Sequence, residues 1–131
     1  MKKMILFCIL SFVMILLSSC ATTLIHNCKC ERDKEQFVGD VVEKLQEESF
    51  YLLRKEPYEG YIKAQKKDME GTATTWTFML TDGKLNATCF TGTESVPKYL
   101  DDNSDPNFKP YWDIRNFIEK YCGEKFIIIQ D

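Results

Sequence analysis

Histidine is nearly missing from this chain: His26 is the only one in 131 residues. That leaves one position for the commonest general base and the commonest nitrogen metal ligand. A Gly-rich phosphate loop, a Ser-hydrolase elbow, a paired-carboxylate motif and a His/carboxylate metal cluster are all absent. Clustered basic residues are lacking as well. Beyond the N-terminus no basic patch stands out apart from the pair Lys66 and Lys67, and the net charge is −3. Phosphate backbones are held by clustered Lys and Arg, so nucleic acid is not expected as a partner. No apolar run reaches the roughly 20 residues that a membrane-crossing helix needs. No internal repeat is present. The expectation from these absences is a protein that is not an enzyme and takes no cofactor or metal.

What is present begins with an export pattern. Met1-Lys2-Lys3 is a short basic start, and Met4 to Leu17 is an almost unbroken apolar run. Its length suits the apolar region of a signal peptide. Leu17-Ser18-Ser19-Cys20 follows: an aliphatic residue, two small ones and a cysteine. This stretch resembles the lipobox of bacterial lipoproteins, and the resemblance covers residues 1–20 only. It implies removal of residues 1–19, a thioether from Cys20 to diacylglycerol, and a further palmitate-type acyl chain on the new amine. Several chains would make a stable membrane anchor. Ala21 after the cysteine would favour the outer membrane in a Gram-negative envelope. Two alternatives stay open: ordinary cleavage after Ala21, giving a secreted protein, or retention of the apolar run as an anchor. Loss of Lys2 and Lys3 leaves the mature chain near −5. The mature acidic balance gives no reason to expect adsorption to anionic lipid.

The mature chain is long enough for one small domain, placed at 33–131 behind a tether at 20–32. Asp33 with Gln36 reads as a capping pair. Phe37, Val38, Val41, Val42, Leu45, Ser49, Leu52 and Leu53 then recur at helical spacing, predicting a helix over about 34–55 that Pro57 ends. A strand is expected over 58–66. Thr72 to Thr81 and Lys84 to Thr91 read as a hairpin about Asp82-Gly83. A two-residue turn pairs Trp76 with Cys89, Phe78 with Ala87, and Leu80 with Leu85 on one apolar face. Thr75, Thr77, Met79, Asn86, Thr88 and Phe90 take the other. A second helix is expected from Pro110, with Tyr111, Ile114, Phe117, Ile118, Tyr121 and Cys122 as its buried stripe and Gly123 as its stop. Phe126 to Ile129 reads as a final strand, buried on both faces. The expected fold is α+β: an antiparallel sheet of about four strands against two helices, in the order α-β-β-β-α-β. Its helix-before-sheet order is shared with outer-membrane-assembly and small inhibitor lipoproteins, a likeness of architecture alone.

Cys28, Cys30, Cys89 and Cys122 remain once Cys20 carries the anchor, and four cysteines in an exported domain suggest two disulfides. Cys28 and Cys30 are too close in sequence to bond without strain. The pairings left are 28–89 with 30–122, or 28–122 with 30–89. Each bridge would close a loop of about 60 to 95 residues, worth on the order of 4 kcal/mol. The competing reading makes Cys28 and Cys30 a thiol-redox or metal-handling pair, with Lys29 lowering a thiol pKa or His26 completing a zinc set.

Other candidates are weaker. His26, placed in the tether, reads as solvated. Asp101 to Asp105 alternates oxygens like a calcium loop, but Pro106 stands where Gly is needed. Asn86-Ala87-Thr88 fits a glycosylation sequon that a lipobox-bearing chain would not use. Tyr99, Phe108, Tyr111 and Trp112 cluster before the second helix, as a possible interaction surface or as core cover. The function these features suggest is a lipid-anchored envelope protein that binds another macromolecule without catalysis.

Overall fold

The computed structural model describes residues 23–97 and 108–130. The signal segment, Cys20, Tyr99 and the acidic run at 101–105 lie outside the described residues. Alternation starts the fold: in Leu24-Ile25-His26-Asn27-Cys28-Lys29, His26 and Cys28 turn inward. This segment is strand β1 (Leu24–Lys29). It was expected within the tether; instead it is paired on both sides. Helix α1 (Lys34–Glu47) follows, its Asp33 carboxylate accepting from the Gln36 N–H at 3.2 Å. Phe37, Val38, Val41, Val42 and Leu45 form its buried stripe.

The helix stops eight residues before the expected end. Ser49 adopts φ 68°, its N–H bonding the Gln46 carbonyl at 3.1 Å, while the Phe50 N–H reaches Leu45 at 2.9 Å. This is a Schellman closure with serine in the left-handed position usually held by glycine. Leu52 and Leu53 therefore belong to strand β2 (Tyr51–Glu56) rather than the helical stripe. A short 3-10 turn (Pro57–Glu59) leads to β3 (Tyr61–Lys67). The following turn is held by Asp68, whose carboxylate accepts from Glu70 and Thr72, each at 2.9 Å.

The hairpin of β4 (Ala73–Thr81) and β5 (Lys84–Thr91) has the expected register, with Trp76 opposite Cys89, Phe78 opposite Ala87 and Leu80 opposite Leu85. Asp82 and Gly83 both carry positive φ, as a type I′ turn requires. A further short strand, β6 (Glu94–Val96), returns along β5. Helix α2 (Lys109–Cys122) has Pro110 in its first turn and closes on Gly123 at φ 78°. Strand β7 (Ile127–Gln130) ends the described chain.

The class is α+β, but the sheet has seven strands, not four, all antiparallel. The order is β2-β3-β4-β5-β1-β7, and β6 shares with β1 the side of β5 away from β4. The Leu24 N–H meets the Ser95 hydroxyl at 2.8 Å where those two strands adjoin. The three additional strands are β1, β2 and β6: one read as tether, one as helix, and one too short to show a period. Ile62, Ala64, Trp76, Phe78, Leu80, Leu85, Ala87 and Cys89 face inward and form one core with the stripes of both helices. Among the described residues no helix covers the opposite sheet face. Strand β7, expected to be buried on both faces, instead lies at the sheet edge with Ile127 68% and Ile129 46% exposed.

Candidate functional site

The most unusual interior feature is a chain of polar groups through the core. His26 is fully buried on β1, correcting the solvated reading, and its Nε2 lies 2.8 Å from the Tyr111 hydroxyl. Tyr111 Oη accepts from Arg115 Nη1 at 2.9 Å. The hydroxyl proton is then free to be donated to Nε2, which places the imidazole proton on Nδ1. Arg115 Nε faces Glu119 Oε1 at 3.6 Å, an ion-pair distance beyond hydrogen-bond reach. Glu119 Oε2 accepts the Phe126 N–H at 2.7 Å, just before β7. Tyr111, Arg115 and Glu119 are spaced four apart, so one helical face aims all three at β1 and the start of β7.

Aromatic rings seal this chain. Trp76 stacks on Tyr111 at 5.3 Å between centroids and on Phe78 at 5.0 Å. His26 meets the edges or faces of Trp76 and Phe126 at 5.5 and 5.2 Å. His26 Nδ1 and Trp76 Nε1 are buried without a hydrogen-bond partner. Burial, with the Arg115 charge beside it, lowers the His26 pKa to about 4; the nearby Ala87 and Leu24 backbone opposes this only in part. The imidazole is therefore neutral at pH 7. A base in that state could take a proton, but His26 and Tyr111 have no surface open to a substrate. The arrangement is suited to holding β1 against α2.

The cysteines divide differently from the expected two-bridge scheme. Cys30 is bonded to Cys122, with Cα atoms 4.6 Å apart across a sequence separation of 92. Cys28 and Cys89 are free thiols, both buried. They face the same core, yet Cys28 stands opposite Leu85, four residues along β5 from Cys89. That offset is about 13 Å at strand rise, far beyond disulfide reach. Burial, with Glu124 and Glu119 nearby, pushes the Cys28 thiol up to about 11, and burial alone raises Cys89 well above its usual value. Neither becomes a nucleophilic thiolate near neutral pH. Among the described residues no group of three or more His, Cys, Asp or Glu is placed to hold a metal.

The aromatic candidates also part company. Tyr111 is buried in the core and is not a surface residue, a correction to its place in the expected interaction patch. Phe108 and Trp112 are half-buried against the same core, with the Arg115 guanidinium 4.8 Å from the Trp112 ring centroid. Exposed large apolar side chains lie elsewhere: Tyr51 and Leu53 on β2, Tyr58, Met69 and Met79, and Ile127 and Ile129 on β7. Ile129 is paired with Ile25, and Ile127 with Asn27. Beside Ile127 a hollow of about 330 Å³ is lined by Asn27, Lys29, Lys84, Asn86 and Glu124, among others. Lys29 and Lys84 are direct cross-strand partners there, a like-charge pairing that the sheet itself does not favour.

The sequence signal that could have found β1 is the placement of His26, Cys28 and Cys30 at alternate positions, which puts all three on one strand face. The repeat of Tyr111, Arg115 and Glu119 at four-residue spacing was likewise legible, but a helix gives no hint of which strand its polar face will meet. Among the described residues no helix is long and apolar enough to cross a membrane. No protein-family model, curated protein or solved structure matches this chain.

Proposed function

We propose that the protein is a small lipid-anchored envelope protein that works as a non-catalytic binding module, docking a macromolecule through β7 and the adjoining outer sheet face. The observation that carries this reading is the exposure of Ile127 and Ile129 on a sheet-edge strand free of charge, proline and bulge. Native sheets ordinarily guard such an edge, because its free backbone groups accept another strand. The lipobox at Leu17-Ser18-Ser19-Cys20 supports the anchor. The raised Cys28 and Cys89 pKa values, with Cys30 and Cys122 bonded to each other, weigh against the thiol-redox or metal-handling alternative.

A photo-crosslinking side chain at Ile127, in the full chain in native membranes, tests the docking edge. The expected result is a discrete crosslinked product from Ile127 and none from Lys55 on the opposite edge strand. Equal products from both sites, or none from Ile127, would remove the reading. The intact mass of the mature protein tests the anchor: it should begin at Cys20 with acyl chains, whereas an unlipidated chain beginning at Thr22 would eliminate it.

A further inference from the structure

The hollow beside Ile127 is charged on one side and apolar on the other. Side chains alternate along a strand, so Asn27 and Lys29 point outward while His26 and Cys28 turn into the core. Their cross-strand partners on β5, Asn86 and Lys84, share that outer face, and Ile127 stands beside Asn27 on the β7 side. The paired backbone of β1 and β5 at Cys28 and Leu85 runs beneath the hollow of about 330 Å³. Lys29 and Lys84 are directly opposed, yet among the described residues no carboxylate pairs with either ammonium. Glu124, the anion in the lining, accepts the Lys29 backbone N–H instead, at 3.3 Å. Among the described residues no side-chain hydrogen bond engages the Asn27 or Asn86 amide, and Asn27 Oδ1 is buried without a partner.

We propose that this hollow binds a small aliphatic carboxylate, its oxygens between the Lys29 and Lys84 ammonium groups and its alkyl body against Ile127. Directly opposed like charges destabilise a strand pair, and an anion held between them offsets that repulsion. Charge selects the class of ligand. Two lysines against one glutamate leave a single net positive charge in the lining. A carboxylate matches it, whereas a phosphate monoester carries about −1.5 to −2 near pH 7. The uncommitted Asn27 and Asn86 amides offer further N–H donors to the same oxygens. Ile127 supplies the apolar wall, extended by the methylene stems of the two lysines. An apolar wall with a few convergent polar groups is the usual make-up of a small-ligand site. Two sources present this chemistry: the free C-terminus of a peptide ending in an aliphatic residue, and a free short-chain acid. The site stands on these side chains and does not depend on what meets the backbone edge of β7.

The test titrates the intact, isotope-labelled protein with hexanoate and with N-acetylisoleucine while NMR follows the side-chain amide signals of Asn27 and Asn86. Both signals should shift saturably with at least one of these acids and stay still with uncharged hexanamide. Lys29→Gln and Lys84→Gln should each weaken binding by about tenfold, from loss of one charge-assisted contact. Neither variant should lose stability to urea, since each relieves the like-charge pair. Glu124→Gln removes the anion from the lining and should tighten binding of inorganic phosphate several-fold. A stronger response to N-acetylisoleucine assigns the peptide C-terminus as the source, and a stronger response to hexanoate assigns the free acid. The proposal is overturned by no saturable shift with either acid, by equal shifts with hexanamide, or by undiminished affinity in both lysine variants. Tighter binding of inorganic phosphate than of both acids by the unaltered protein would overturn it as well. None of these outcomes bears on crosslinking from Ile127, so this site and the docking edge stand or fall separately.

Discussion

Acidification should destabilise this protein through His26 before its carboxylates contribute. The folded imidazole has a pKa of about 4 against 6.5 for an ordinary histidine, because charging it would place a cation in the core beside Arg115. Between those values the unfolded chain binds more protons, so stability falls as pH falls. The loss begins near pH 6.5, steepens toward about 1.4 kcal/mol per pH unit, and saturates below pH 4. From pH 7 to pH 5 the linkage gives about 2 kcal/mol. That is a large share of a stability of about 5–15 kcal/mol. His26 is the only histidine, so the window from pH 5 to 7 isolates it from most carboxylates. Urea denaturation at half-unit pH steps would measure the slope. His26→Gln lowers stability overall, but its profile across that window should be flat. A flat wild-type profile, or a slope retained in His26→Gln, would refute the assignment.

Three further outcomes are expected. Cys30→Ser removes a bridge spanning 92 residues, which the chain-entropy account values at about 4–5 kcal/mol; urea titration checks it, and a loss under about 1 kcal/mol would contradict a constraint on this scale. Native protein at pH 8 should leave Cys28 and Cys89 unalkylated by iodoacetamide, with both labelled after unfolding, as intact mass will report; rapid native labelling of either would be inconsistent with their burial. Gly60→Ala should cost at least about 2 kcal/mol, since a left-handed residue would also carry its Cβ into a core strand. The added Cβ would stand 2.5 Å from the Leu80 carbonyl oxygen at φ 68°, and a variant as stable as wild type by denaturation would show that the turn relaxes freely.

The hairpin register was legible because it is over-determined. Asp82-Gly83 fixes the turn, and only one register puts Trp76, Phe78, Leu80, Leu85, Ala87 and Cys89 together. The start of α1 at Asp33 and the stop of α2 at Gly123 were legible for the same local reason. Strand β2 was not, because Leu52 and Leu53 continue a helical period by coincidence, while the backbone reverses at a serine that carries no obvious stop signal. Strand β1 was obscured by its position after the lipobox, where a tether is expected, although His26, Cys28 and Cys30 alternate. The outward placement of Ile127 and Ile129 was hidden because an apolar run does not say which of its faces will be covered. That depends on where the helices lie, a non-local fact. For the same reason Tyr111 read equally well as surface or core.

The contacts around β1 connect the core to the proposed docking edge. Among the described residues β7 pairs only with β1, so the edge has no ladder to the rest of the sheet except through that strand. Strand β1 is in turn fixed by its ladder to β5, the Leu24 N–H to the Ser95 hydroxyl, the His26–Tyr111 bond to α2, and the covalent link just beyond its end from Cys30 to Cys122. Glu119 ties α2 to the start of β7 itself by receiving the Phe126 N–H. A four-residue strand that leaves two isoleucines in water gains little from its own burial. Its position is therefore held by its surroundings. A buried hydrogen bond is a demanding way to hold it, since a shift of β1 by one residue would turn His26 to the outer face and take its Nε2 away from the Tyr111 hydroxyl. The buried histidine thus serves the edge by making one register of β1, and with it one geometry of β7, far more favourable than its neighbours.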